Sequence, residues 1–142
     1  MPNEESEIHP MSENGVSSGE GYAVANLDDL GQGPGFRKVR SSLGVTAFGV
    51  NAIVLPPSYS TGSHYHDEQE ELYFLHKGEV EIEFGDGTKH KLQPGGFAWV
   101  DAPTYRKVHN LSDSEDAVYV VVGGKDGYVG RDGKLAPGEE HR

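Results

Sequence analysis

Short runs of β-favouring residues, each closed by glycine, proline or an Asp-Gly pair, recur along most of this chain, and no segment carries a sustained helical period. Val80-Glu81-Ile82-Glu83-Phe84 is the clearest run. Apolar and acidic residues alternate strictly there, and side chains alternate faces along a strand, so the run predicts a strand with one dry and one wet face. Gly85-Asp86-Gly87 follows as a hairpin signal. Tyr22 to Leu27, Phe36 to Arg40, Val45 to Leu55, Thr88 to Leu92, Phe97 to Val100, Tyr105 to Asn110 and Ala117 to Val122 read as further strands. Pro56-Pro57 ends the Val45 run, because proline cannot donate a ladder hydrogen bond. Regular short strands separated by turns predict an all-β sandwich or barrel.

A length of 142 residues suits one domain with one core. Residues 1–21 are acidic and poor in periodic apolar residues, and are expected to form a disordered tail. Residues 22–122 hold the strand series, and 123–142 form a C-terminal extension. Within it Tyr128-Val129 is strand-like, and the extension is expected to cover a sheet edge or pair with another subunit. The net charge of −11 argues against nucleic acid and anionic membrane as partners. No apolar run approaches the roughly 20 residues of a membrane span. The N-terminus lacks the basic-then-apolar pattern of a secretion signal, so a cytoplasmic location is expected. The chain has no cysteine, which restricts any metal to nitrogen and oxygen donors.

His64-Tyr65-His66 presents two imidazoles to one side of a strand, with Tyr65 turned away. Glu71 opens the run Glu71-Leu72-Tyr73-Phe74-Leu75, expected to lie beside the histidine strand. Two imidazoles and a carboxylate on one face are the donor set of a divalent transition metal, Fe, Mn, Ni or Zn, with positions left open for water or substrate. Glu71 is preferred to Glu70 because it shares a face with the apolar positions Tyr73 and Leu75. Asp67, Glu68 and Glu70 read as a solvated turn. His76 and His90 read as surface residues.

These residues resemble the first motif of the cupin superfamily, in which a glycine, a His-x-His pair, a glutamate and a closing glycine stand at set spacing. His64, His66, Glu71 and Gly78 fall on that spacing, while Ser58 stands in place of the leading glycine. The second motif is looser. Asn110 matches its end, Asp101 and Pro103 replace its proline and glycine, and Arg106 stands where the family has a third histidine. The resemblance implies a small single-domain cupin: a double-stranded β-helix, or jelly-roll barrel, with a ligand cavity. It also implies a homodimer.

Arg106 has no lone pair for a metal. Either His64, His66 and Glu71 hold the ion alone, or the metal is lost and Arg106 pairs with Glu71. An inward Arg106 is a candidate clamp for a substrate carboxylate. His109 would complete the ligand set only through a bulge, because strand parity turns it away from the face of Arg106, Val108 and Asn110. Tyr73 is a candidate general acid, and Phe97, Trp99 and Tyr105 are expected in the core or cavity wall. The implied functions are a metal-dependent enzyme of dioxygenase, decarboxylase or isomerase type acting on a small oxygen-rich or carboxylate compound, or a metal-free small-molecule binder. A third is a metal-independent sugar epimerase using a histidine base and Tyr73 or Tyr105 as acid.

Overall fold

The structure, a computed structural model, describes residues 15–139. The strands in chain order are β1 (Ser17–Gly19), β2 (Tyr22–Val24), β3 (Gly35–Arg37), β4 (Gly49–Leu55), β5 (His64–His66) and β6 (Glu70–Lys77). They continue as β7 (Val80–Phe84), β8 (Lys89–Leu92), β9 (Phe97–Val100), β10 (Arg106–Asn110), β11 (Ala117–Gly124) and β12 (Gly133–Leu135). One five-stranded antiparallel sheet runs β12-β5-β10-β7-β8, and the other runs β3-β4-β11-β6-β9. From β4 onward the chain passes back and forth between these sheets, leaving each for the other after one strand or one hairpin. That winding gives the jelly roll its double-stranded character. Leu75, Val80, Ile82, Val108 and Ala117 are fully buried between the sheets.

The alternation in Val80–Phe84 is realised: Val80 and Ile82 face the core, and Glu81 and Glu83 are half-buried on the other face. Gly78 turns β6 into β7 at φ +88, and a Cβ there would stand 2.9 Å from Ala117 Cα, so both conformation and space require glycine. Ser58 adopts φ +60 where the cupin motif has its leading glycine. A serine tolerates this left-handed conformation at a cost of roughly 1–2 kcal/mol.

Several expectations are corrected. Part of the span read as a disordered tail is ordered, because Ser17–Gly19 pairs with Tyr22–Val24 and Val16 is buried; residues 1–14 of that tail lie outside the described residues. The run Phe36 to Arg40 is split between β3 and a five-residue helix, α1 (Val39–Leu43), closed by Gly44 at φ +82. Tyr128-Val129 is not a strand. The extension instead forms β12, which pairs with β5 and so covers a sheet edge within the same chain. Phe97 and Trp99 are 62% and 63% exposed, not core. The register Leu72↔Trp99 and Phe74↔Phe97 puts them on the outer face, and Ala98 and Val100 point inward. Among the described residues no helix is long and apolar enough to cross a membrane.

Candidate metal centre

The histidines and Glu71 come from opposite sheets, not from neighbouring strands: β5 carries His64 and His66, and β6 carries Glu71. They meet across the barrel. His66 Nε2 stands 3.2 Å and His64 Nε2 4.0 Å from Glu71 Oε1, and one donor atom from each residue lies within 4.8 Å of the other two. His66 and Glu71 are buried, and His64 is half-buried. Glu70 faces outward and accepts a hydrogen bond from Trp99 Nε1 at 2.9 Å, as the parity argument requires.

Glu71 and His66 are held from behind. Tyr73 donates its hydroxyl to Glu71 Oε1 at 3.0 Å. Burial works against the charge of Glu71. The His66 ring, the Arg106 guanidinium and the Tyr73 hydroxyl outweigh it, so the carboxyl is held below its ordinary range. Tyr73 itself is pushed well up, by burial first and by the Glu71 charge second, and keeps its proton. Gly123 pairs with Glu71, and a Cβ there would stand 3.1 Å from Gln69 Oε1 and 3.2 Å from Glu71 Cγ. The missing side chain leaves those groups their space.

Behind His66, Gln69 Nε2 lies 2.9 Å and Asp132 Oδ2 3.7 Å from Nδ1. Asp132 is anchored by the backbone N–H groups of Glu68 and Gln69, at 2.9 and 2.8 Å. An imidazole that binds metal through Nε2 carries its proton on Nδ1, and a carboxylate or amide oxygen there fixes ring and tautomer. The two ends of a glutamine amide match in shape, so Gln69 serves either tautomer. Sequence reasoning missed both residues. Gln69 Nε2 is three positions from His66 in the turn read as solvated, and Asp132 is 63 positions beyond Gln69.

Burial works against the charge of Asp132, and the Gln69 and Glu68 N–H groups, with the His66 ring, outweigh it and lower its pKa from the ordinary 3.8. A carboxyl lowered in the folded state stabilises it above the unfolded pKa, and that contribution vanishes as the pH falls through the folded value. Below pH 3.8 the melting temperature is therefore expected to drop more steeply for the native chain than for Asp132→Asn. Thermal scans from about pH 6 to pH 3 would measure this; parallel slopes would contradict it.

Arg106 occupies the register position opposite His64 and is completely buried. Its fork donates to the carbonyls of Asp101, at 2.8 Å, and Ala102, at 3.4 Å. Among the described residues it makes no ion pair with Glu71, and it does not line the cavity, which removes the expected pairing and the carboxylate clamp. The parity of β10 holds: His109 faces away and its Nδ1 lies 2.5 Å from Ser60 Oγ. Tyr105 is 38% exposed and outside the cavity, whereas Tyr73 lines it.

A family model described as a cupin domain matches residues 52–123, just over half of the chain. The chain belongs to the cupin family. Among solved structures, this cupin is similar to a sugar phosphate isomerase of the superfamily from Silicibacter pomeroyi, at 29% identity and a TM-score of 0.58 over 63% of this chain and 58% of that one. It is also similar to an uncharacterized conserved protein with a double-stranded β-helix domain from Klebsiella pneumoniae, at 20% identity and a TM-score of 0.67, covering 80% and 96% of the two chains. A DMSP lyase from Ruegeria pomeroyi shares the fold at 19% identity and a TM-score of 0.56, covering 66% and 46%. This cupin thus spans less than two thirds of the isomerase and the lyase. A search of curated proteins found no match.

The donor set fits a metal ion. His66 Nε2 is buried, has no hydrogen-bond partner among the described residues, and faces the Glu71 carboxylate across a gap one ion would fill. The three donors line a cavity of about 600 Å³, a size suited to a small molecule.

Proposed function

We propose that this cupin holds one divalent transition metal ion, Fe, Mn, Ni or Zn, through His64, His66 and Glu71, and acts on a small oxygen-rich compound by isomerase-type chemistry. The observation that carries the reading is the buried His66 Nε2, without a hydrogen bond among the described residues, set against Glu71 at the wall of a substrate-sized cavity. A bound ion supplies Lewis acidity toward a substrate oxygen. The protein supplies the rest. Asp132 and Gln69 orient His66, and Tyr73 fixes the Glu71 oxygen that faces both imidazoles. The Tyr73 and Tyr119 rings stack with centroids 5.9 Å apart, and burial raises the pKa of both, so the cavity wall carries protonated phenols. The 29% likeness to a sugar phosphate isomerase supports the reaction class.

Metal analysis of protein prepared without a histidine tag tests the reading. Close to one equivalent of transition metal is expected after reconstitution; less than about a tenth of an equivalent would overturn it. The second reading, a metal-free binder, draws on Arg106, which leaves three protein donors where the motif would supply four. It expects unchanged melting under chelators.

A further inference from the structure

The cavity has a second chemical end. Lys38, Arg40 and Arg131 line it together with the metal set, in a chain whose net charge is −11. Lys38 and Arg131 are exposed and Arg40 is half-buried, so these cations ring the mouth. None of them makes an ion pair among the described residues, where the paired lysines are Lys89, Lys91 and Lys134. The carboxylates lining the cavity, Glu71 and Asp132, are already engaged by Tyr73 and by backbone N–H groups.

Two of the three cations are placed by local structure. The Arg40 guanidinium lies 3.9 Å from the centroid of the Tyr128 ring, a cation–π contact that orients it without neutralising it. Arg131 is held at φ +53, an uncommon conformation for a side-chain-bearing residue, directly before the Asp132 that supports His66. The register gives the span between the two ends. Glu71 pairs with Gly123, Gly123 pairs with Gly49, and a Cβ on Gly49 would stand 3.5 Å from the Tyr128 ring. The Arg40–Tyr128 stack therefore sits two strand spacings from Glu71, roughly 10 Å along the sheet. That is the reach of a small extended molecule.

We propose that Lys38, Arg40 and Arg131 form an anion subsite that takes the carboxylate or phosphate end of the substrate. The proposal rests on the metal reading only for what meets the opposite end of that molecule. Guanidinium forks match the oxygen spacing of both anions, and two forks with an ammonium favour the more highly charged one.

The test titrates inorganic phosphate and, separately, acetate into chelator-treated protein, followed by amide NMR shifts. Phosphate is expected to shift residues around α1 and Tyr128, and the Arg40→Gln/Arg131→Gln variant to weaken its binding by at least about tenfold. Tighter phosphate than acetate assigns a phosphate end, and the reverse assigns a carboxylate. Arg131→Gln alone, at an exposed position, is expected to weaken binding about threefold, and Arg40→Lys to keep part of it. His66→Ala should leave phosphate binding intact, so the subsite is read even where the metal reading fails. Equal phosphate affinity in native and double-variant protein, or binding only after metal loading, would overturn the proposal.

Discussion

His66→Ala is expected to lower the affinity for a divalent transition ion by at least about 100-fold, measured by competition with a chromophoric chelator. The residue combines three properties found nowhere else in the site. It is buried, its Nε2 stands 3.2 Å from Glu71 Oε1 with no hydrogen bond among the described residues, and its Nδ1 is backed by Gln69 and Asp132. The loss should also appear in stability. Metal at about 100 times its dissociation constant stabilises the native state by about 2.7 kcal/mol. For a chain of this size that is a rise of roughly 8–11 °C in melting temperature. Native protein should show the rise and the variant no more than about 2 °C. Equal affinity in the two proteins would remove His66 from the ligand set.

The second large effect is structural and lies at the far end of β10. Asn110 is completely buried, and its amide NH2 shares two hydrogens among the carbonyls of Leu55, Pro56 and Glu115, at 3.0, 3.1 and 2.9 Å. Its oxygen accepts the Ser112 N–H at 2.9 Å. One side chain thus ties the end of β4, the turn after it and the loop leading into β11. Asn110→Leu keeps the branched shape and removes every one of these bonds, leaving the Leu55 carbonyl buried without a partner and the other three backbone groups partly buried without theirs. Each such group costs about 1–3 kcal/mol, and a combined loss of about 3–5 kcal/mol is expected once relaxation is allowed for. In urea denaturation the midpoint should fall with an unchanged slope, which assigns the loss to the native state. A loss below about 1 kcal/mol would mean that water reaches those carbonyls and that the tie is dispensable. Leu55 and Pro56 also line the cavity, so the variant should loosen its wall.

The parts of the site that were legible in the sequence are those written over two to five residues. Strand parity put His64 and His66 together and chose Glu71 over Glu70. It also turned His109 outward and left Val80 and Ile82 in the core. The glycine at 78 was legible as part of a motif, and its physical reason, a left-handed turn pressed against Ala117, needed coordinates. Composition misled where parity had no anchor. Phe97 and Trp99 look like core by composition, but the pairing of β9 with β6 sets them on the outer face.

Alternation is a local rule, enforced by the backbone at every residue, so the sequence alone determined which side chains share a face and that the chain would fold as short strands. Which faces meet is decided by pairings between distant segments. Only the tertiary structure set β5 against β6 across the barrel, brought Asp132 behind His66, sealed Arg106 against two carbonyls and gathered Lys38, Arg40 and Arg131 at one mouth. Those contacts depend on sheet order and register, and these are selected by burial of the whole core rather than by any residue's neighbours along the chain.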